Sequence, residues 1–338
     1  MGGGGQFLLQ VVGITKGRVL CRPSVKLRKE NIADVLIMKD STYILTHTPS
    51  YECTGLANTG CDVYVAHCPP EEEAEYELVT EFGERFTHTM FLAEFRENPE
   101  NEQIICINPK VAIELMESVL EKNLISCLLN IRDMKRNVPM FLEGKVNSTF
   151  NLVGFCEDNV PFIMEVANVP FAEYRPEEQA IDKANYEKAK AEKEAAQAAR
   201  AAAGIVEEEK KKKEGEEEED DEYVYYPYLK ASYFPEANSK AVNAATIKRI
   251  NDLAMIAKES VVRCVLGYII ERTDINKFEI SNHNPEYRQA VINAVSCGVH
   301  ILPVVVSWTP EGVCFFVTEQ IQIQVDKWNV CISNETYV

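Results

Sequence analysis

The sequence lacks several features that would assign a class of protein at once. It contains no run of about 18 apolar residues, the length that a membrane-spanning helix requires. It also has no charged segment ahead of a long apolar one at its start, so we expect no secretory signal peptide. These absences predict a chain without a transmembrane segment.

Basic residues are scarce relative to acidic ones. The chain has 35 Lys and Arg against 53 Asp and Glu, which gives a formal net charge of −18 and a pI near 4.9. Binding to nucleic acid depends on neutralising phosphates with Lys and Arg. The charge therefore argues against a general nucleic-acid binder and predicts weak or no association with nucleic acid.

The signatures of two common binding sites are also missing. The Gly55–Gly60 spacing is not a phosphate-binding loop, because no Gly-Lys-Ser/Thr follows it. A zinc site among four nearby Cys and His side chains is disfavoured, because the Cys-x-x-Cys spacing typical of such sites is absent. Those four side chains are Cys53, Cys61, His67 and Cys68. We predict no metal ion and no cofactor.

Cysteine, in contrast, is plentiful. Eleven cysteines are scattered along the chain, their number is odd, and several lie within apolar runs. This pattern favours buried thiols in a reducing compartment over a disulfide framework. We therefore expect a cytoplasmic protein.

The first six residues resemble an N-myristoylation signal. Gly2 is the residue that would be acylated, but Gln6 stands where Ser or Thr is expected. Acylation and a plain flexible glycine leader both stay open, and the leader is favoured. A single acyl chain would in any case anchor only weakly.

The N-terminal third is rich in short β-type runs. The chain of 338 residues is 46% hydrophobic, so it can bury a large core, and its length suggests two domains. The β-type runs are separated by turn or charged residues and lie at residues 7–15, 33–38, 42–47 and 61–66. Their spacing predicts a small β-barrel or sandwich.

One basic strip lies within this third. It comprises Lys16, Arg18, Arg22, Lys26, Arg28 and Lys29. Two interpretations stay open: a strip that contacts nucleic acid, and a strand edge protected by solvated charges, which is the commoner case.

Residues 108–125 carry the pattern of a helix. Asn108 is a good N-cap and Pro109 fits the first helical position. Apolar residues recur at helical spacing from Val111 to Leu120, which indicates a face directed at the core and not a cofactor site.

Residues 146–173 form the most informative stretch. Two apolar runs rich in Phe, Val and Ile flank an acidic turn that contains Asn, which predicts a β-hairpin. Each run carries one polar residue among apolar neighbours, Asn151 in the first and Glu165 in the second. A carboxylate within a buried strand is costly unless it is paired or binds a metal. Glu165 therefore needs a chemical explanation.

After this hairpin the composition changes sharply. Residues 176–203 are dominated by Ala, Glu and Lys, which predicts a solvated helix with little apolar stripe. Residues 207–222 form a charge run that predicts disorder. The aromatic cluster that follows offers anchors for a protein partner and consists of Tyr223, Tyr225, Tyr226 and Tyr228.

The hairpin resembles the sugar fermentation stimulation protein A (SfsA) family. In that family a Ser-Arg-Ile-Asp-Phe strand precedes a Glu-Val-Lys-Asn/Ser strand, and the matching segments here are 148–152 and 165–168. Asn151 stands where the family has Asp, and Ala167 stands where it has Lys. Weaker similarities occur elsewhere in the chain, in the order in which the family has them, at 53–56, 233–237 and 248–253. The last of these resembles the family's Lys-His-Leu-Arg-Glu-Leu.

The resemblance implies a fold of two parts. Residues 1–100 would form a small barrel of the oligonucleotide-binding (OB) type. Residues 101–175 and 229–330 would form a restriction-endonuclease-like α/β domain, interrupted by a charged insertion at 176–228. In the family, two carboxylates hold a divalent metal and the lysine activates water.

Three functions are compatible with this pattern. Because one carboxylate and the lysine are replaced, we favour a non-catalytic scaffold or binding subunit with protein partners, in a cytoskeletal or ciliary assembly. The first alternative is a nucleic-acid-binding protein. The second is a metal-dependent nuclease whose site has migrated, with Glu165 joined by Glu143 or Glu236 and with Lys248 in place of the missing lysine.

Overall fold

The structure is a computed structural model, and it describes most of the two predicted domains. The described residues are 5–25, 31–48, 56–67, 87–98, 101–142, 144–157, 159–173, 180–181, 183–188, 190–192, 195, 230–233, 244–275, 277–281, 284–324 and 329–330.

Five strands near the N-terminus close into a barrel. They are β2 (Thr15–Cys21), β3 (Ile32–Ile37), β4 (Tyr43–His47), β5 (Asp62–His67) and β6 (His88–Asn98). Antiparallel pairing runs β4-β3-β2-β5-β6, and a short parallel pairing of β4 with β6 closes the ring. Small and β-branched side chains fill its interior, among them Ala33, Val35 and Val63, each 0% exposed. This topology is that of an OB-like barrel, as predicted.

The strand pairing differs from the predicted division of the chain at both ends of the barrel. The first strand, β1 (Gln6–Gln10), pairs antiparallel with a strand near the C-terminus and not with the barrel. Strand β7 (Asn101–Cys106) extends the barrel sheet beyond residue 100 by pairing with β6. The boundaries at 1–100 and 101–175 stay predictions, and these two pairings adjust which strands each part contains.

The second part is built on a seven-stranded mixed sheet in the order β1-β16-β15-β13-β10-β9-β8. Apart from β1, the strands of this sheet are β8 (Arg132–Leu142), β9 (Val146–Phe155), β10 (Pro161–Val169), β13 (Arg263–Ile270), β15 (His300–Trp308) and β16 (Val313–Thr318). Strands β10, β13 and β15 are parallel, whereas β8, β9 and β10 form an antiparallel meander. The predicted hairpin is therefore confirmed as β9 and β10.

Three helices pack on this sheet. They are α1 (Pro109–Glu121), α2 (Ala244–Glu259) and α3 (Pro285–Ser296). The side chain of Asn108 caps α1 by accepting from the backbone N of Lys110 at 3.1 Å, and the predicted apolar face is buried. Helix α1 ends at Glu121, four residues earlier than predicted, and Asn284 caps α3 in the same manner as Asn108.

The two faces of the sheet have separate cores. Along β10, the side chains of Ile163 and Val169 join the core beneath α2 and α3, whereas Phe162 and Met164 join the core beneath α1. Successive side chains of a strand point to opposite faces, so Glu165 shares the face of Ile163 and lies toward α2.

A smaller five-stranded sheet completes the described fold. Its order is β11-β12-β14-β17-β18, with bounds Ala172–Glu173, Lys230–Tyr233, Lys277–Ile280, Gln322–Gln324 and Asn329–Val330. Residues 313–318 and 322–324 are two strands in different sheets, because the chain leaves the large sheet after Thr318.

The insertion is described only in part. Its described residues between 180 and 195 are all helical, and every one except the half-buried Tyr186 is exposed. This agrees with the predicted solvated helix, in which Lys188 and Glu192 lie 3.9 Å apart as an i,i+4 pair. Among the helices that the structure describes, none is both long and apolar enough to cross a lipid bilayer.

Candidate functional site

The side chain of Asn151 takes the place of a missing backbone contact between β9 and β10. The antiparallel register of the two strands ends at the pair Leu152 and Met164. One residue further, Oδ1 of Asn151 accepts a hydrogen bond of 2.7 Å from the backbone N of Val166. The amide that replaces the family's carboxylate is therefore engaged in joining two strands.

Glu165 lies beside this junction and is paired with an arginine. Its side chain is 10% exposed, and its Oε1 accepts a hydrogen bond of 2.5 Å from Nε of Arg249 on α2. Burial raises the pKa of Glu165, while the Arg249 guanidinium and the backbone N–H of Asn151 act in the opposite direction. The other carboxylate oxygen, Oε2, is buried without a hydrogen-bond partner among the described residues.

Ala167 contributes only a methyl group to this site. It lies two residues after Glu165 on the same face of β10, half-buried against the core beneath α2. No amine is present at this position to orient or deprotonate water. We call Asn151, Glu165, Ala167 and Arg249 the Glu165 pocket.

Lys248, the residue expected to replace the missing lysine, has other partners. Its Nζ donates to Oδ2 of Asp252 at 2.6 Å, to the carbonyl oxygen of Asn147 at 2.6 Å and to Oγ of Ser148 at 3.1 Å. Ser148 in turn donates to Oδ2 of Asp252 at 2.6 Å. Lys248, Asp252 and Ser148 form what we call the Asp252 cluster, which fastens α2 to the start of β9.

The carboxylate of this cluster is held in its charged form. Burial raises the pKa of Asp252, but the hydrogen bonds from Lys248 and Ser148 outweigh burial, and the pKa lies below its ordinary value. Lys248 and Ser148 therefore both donate to a negatively charged carboxylate. The arrangement is a structural junction and leaves the Lys248 ammonium committed to it.

Sequence reasoning missed Arg249. Its partner Glu165 lies 84 positions away, and no local pattern joins the two. The available signal was its position in the motif at 248–253, where Arg249 stands in the place of the family's His. The gain of this cation, the loss of the carboxylate at 151 and the loss of the lysine at 167 are three differences from the family motif at one site.

The basic strip of the barrel is largely neutralised where it is described. Lys16 donates to both carboxylate oxygens of Glu94, at 2.7 and 2.8 Å. Arg18 donates from Nε to Oδ1 of Asp62 at 2.7 Å, and this contact raises the pKa of Arg18 and lowers that of Asp62. Arg22 is half-buried and also has a partner.

Several predicted residues lie outside the described part of the chain. These are Glu143 and Glu236 of the migrated site, Lys26, Arg28 and Lys29 of the basic strip, and Tyr223, Tyr225, Tyr226 and Tyr228 of the insertion. Within the described ranges, no group of three or more His, Cys, Asp or Glu side chains is arranged to hold a metal ion.

The comparisons with known proteins agree with this architecture. Residues 228–312 match the family model described as "Sugar fermentation stimulation protein RE domain". No curated protein matches the sequence significantly. Among solved structures, the chain is similar to that of SfsA from Pyrococcus furiosus in complex with Ca²⁺.

The similarity to the Pyrococcus furiosus structure extends over nearly the whole fold. The TM-score is 0.62 at 13% sequence identity, and the alignment covers 94% of this chain and 99% of the other. Identity at this level supports the fold and not a shared activity. The predicted resemblance to SfsA is thus confirmed, by the family model over residues 228–312 and by fold over nearly all of the chain's length.

Proposed function

We propose that this chain is a non-catalytic binding or scaffold subunit that retains the SfsA fold and has lost its nuclease-type chemistry. The observation that carries the proposal is the 2.5 Å contact between Arg249 and Glu165. The family's divalent metal requires an uncompensated carboxylate at this position, whereas here a guanidinium of the protein already neutralises it.

The other members of the Glu165 pocket support the same conclusion. Asn151 is neutral and its oxygen is occupied by the Val166 N–H, so it offers no negative charge to a metal. Ala167 offers no proton-transfer group, and Lys248 is bound to Asp252. The residues present do not fit a divalent cation.

Nucleic-acid binding is the less favoured alternative. Lys16 and Arg18 of the basic strip are paired with Glu94 and Asp62, and the chain carries a net charge of −18. A protein with this charge gains little from the release of counterions by a phosphate backbone.

We place partner recognition in the insertion, residues 176–228. The insertion interrupts the fold between β11 and β12, all but one of its described helical residues are exposed, and its sequence ends in a tyrosine-rich cluster. Rigid aromatic side chains are the commonest anchors of protein interfaces. On the basis of charge and composition, we propose a cytoplasmic assembly, cytoskeletal or ciliary, as the setting. The alternative for the insertion itself is that it is a passive solvated loop.

Nuclease assays with Mg²⁺ and Mn²⁺ on DNA and RNA test the loss of catalysis. The unaltered chain and Glu165→Gln should both leave every substrate intact, because neither offers a metal-carboxylate-lysine set. Metal-dependent cleavage by the unaltered chain that disappears in Glu165→Gln would contradict the proposal.

Excision of residues 178–222 tests the role of the insertion. Replacing them with a short Gly-Ser linker should preserve folding, because surface loops change closure entropy little. The deleted chain should no longer co-purify with the partners that the unaltered chain brings from its native cell. Unchanged co-purification would place recognition elsewhere.

A further inference from the structure

A second buried carboxylate lies where the barrel sheet meets the seven-stranded sheet. Glu271 follows β13 directly and is 1% exposed. Its Oε2 accepts a hydrogen bond of 2.6 Å from Nε1 of Trp308 at the end of β15. It also accepts from the backbone of Cys106, at the end of β7 in the barrel sheet. Glu271 therefore contacts both sheets.

The residues after this carboxylate extend the same joint. Arg272 forms a bidentate pair with Asp274, at 2.9 and 2.6 Å, and its guanidinium lies 4.4 Å from the ring of Phe95 on β6. Thr273 donates to Oε1 of Gln103 on β7 from its Oγ1 at 3.0 Å. The segment that follows β13 thus attaches the parallel strands to the barrel sheet.

Glu271 has no cationic partner among the described residues. The groups set against it are the Trp308 indole from β15, the Cys106 backbone from β7 and the Cys314 thiol from β16. Arg272, the adjacent cation, is engaged with Asp274. A lone carboxylate removed from water is so costly that such groups normally bind a proton.

Two acceptor atoms at this joint have no donor among the described residues. One is Oε1 of Glu271 and the other is Oδ1 of Asn168 on β10. Asn168 also reaches Cys106, because its Nδ2 donates to that carbonyl oxygen at 3.0 Å. A carboxylate only accepts hydrogen bonds, whereas a carboxylic acid carries an O–H donor. A proton on Glu271 supplies a donor where two acceptors lack one.

We propose that Glu271 is held as a neutral carboxylic acid whose proton secures the joint between the barrel sheet and the seven-stranded sheet. Loss of that proton places an unpaired negative charge between the two sheets and weakens their contact. The joint is thereby sensitive to alkaline pH, independently of the Glu165 pocket.

The direction of the pH effect follows from linkage. Burial raises the pKa of Glu271 from an ordinary 4.5 to about 8. Between these two values the folded chain holds a proton that the unfolded chain has released. Its contribution to stability is therefore complete below the lower value and is lost as the pH rises to the upper one.

Urea unfolding of the full chain and of Glu271→Gln from about pH 5.5 to about pH 8.5 tests this proposal. The amide cannot release a proton, so the unfolding constant of the unaltered chain relative to the variant should rise about tenfold per pH unit up to the folded-state pKa. A ratio that stays constant with pH would mean that Glu271 is ionised throughout, and would overturn the proposal.

Asp274→Asn is the matched control, because it removes a buried carboxylate that does have a cationic partner. The unfolding constant of the unaltered chain relative to Asp274→Asn should not show the rise with pH that is expected relative to Glu271→Gln. A slope equal to that of Glu271→Gln would show that the effect is not specific to the unpaired group, and would also overturn the proposal.

A second measurement covers the case in which Glu271→Gln does not fold. The chain has two tryptophans, so Trp328→Phe leaves Trp308 as the sole indole, in direct contact with Glu271. The fluorescence of Trp308 should change with a midpoint near pH 8. A signal that is flat across the range, or that changes only near the ordinary carboxyl value, would exclude a neutral Glu271.

Discussion

The Glu165 pocket and the Asp252 cluster share one helix and have opposite relations to the SfsA motif. In the Asp252 cluster, Lys248 and Ser148 match the family's residues, and they bind each other through Asp252. In the Glu165 pocket, Glu165 alone is unchanged, and Arg249 covers it. The set that fastens α2 to β9 keeps its lysine, its serine and a carboxylate, with Asp252 in the place of the family's Glu. The set that corresponds to the family's metal site keeps only Glu165.

This difference separates the requirements of the fold from those of the reaction. A cluster that satisfies buried donors and acceptors is needed in any protein with this architecture. A carboxylate that is left unpaired for a metal has no structural use, and it destabilises the fold once the metal is no longer bound. Pairing Glu165 with Arg249 removes that destabilisation. On the function proposed above, the same contact also leaves no unpaired carboxylate for a metal.

The largest effect is expected for Arg249→Met. It leaves Glu165 buried without a counter-charge, at a cost of about 3 kcal/mol in the free energy of unfolding near neutral pH. The double variant Glu165→Met with Arg249→Met should recover to within about 1 kcal/mol of the unaltered chain. Urea unfolding measures both, and a double variant no more stable than the single one would refute the pairing.

The same variant should acquire a pH dependence. Without Arg249, burial is opposed only by the backbone N–H of Asn151 and raises the pKa of Glu165 further. The folded state then binds the proton more tightly than the unfolded state, so the cost of Arg249→Met should shrink in acid and grow as the pH rises. A cost that is independent of pH would show that Glu165 does not depend on Arg249.

A smaller loss is expected for Asp252→Ala, about 2 kcal/mol, because it leaves the Ser148 hydroxyl without its acceptor. Lys248 is half-exposed and can turn to water, which limits the cost. Since the pKa of Asp252 lies below its ordinary 3.8, the part of the loss that comes from the ionised carboxylate should persist at neutral pH and disappear only in stronger acid. Denaturation at two pH values checks this; a loss below that of Asn151→Ala would reverse the proposed ranking.

The smallest effect is expected for Asn151→Ala, about 1 kcal/mol, from the lost hydrogen bond to the Val166 N–H. Asn151→Asp is its matched partner, because the carboxylate can still accept that hydrogen bond. Stability measurements should rank Asp above Ala at this position. The reverse order would mean that Asn151 is not needed to join β9 and β10.

Local pattern was sufficient for much of the fold. The cap at Asn108, the buried face of α1 and the hairpin of β9 and β10 all follow from spacing within one segment. The pairing of β1 with β16 could not be predicted, because a lone strand does not specify a partner some 300 residues away. The ion pairs of Lys16 with Glu94 and of Arg249 with Glu165 could not be predicted either, because each joins residues that are far apart in the sequence.

Metal binding at the Glu165 pocket tests the central claim most directly. Mn²⁺ affinity should be compared among the unaltered chain, Asn151→Asp with Ala167→Lys, and these two changes combined with Arg249→His, each with and without Glu165→Gln. We predict Glu165-dependent binding only in the triple variant, because the double variant still carries the guanidinium on Glu165. Glu165-dependent binding by the unaltered chain, with an affinity equal to that of the triple variant, would contradict the account.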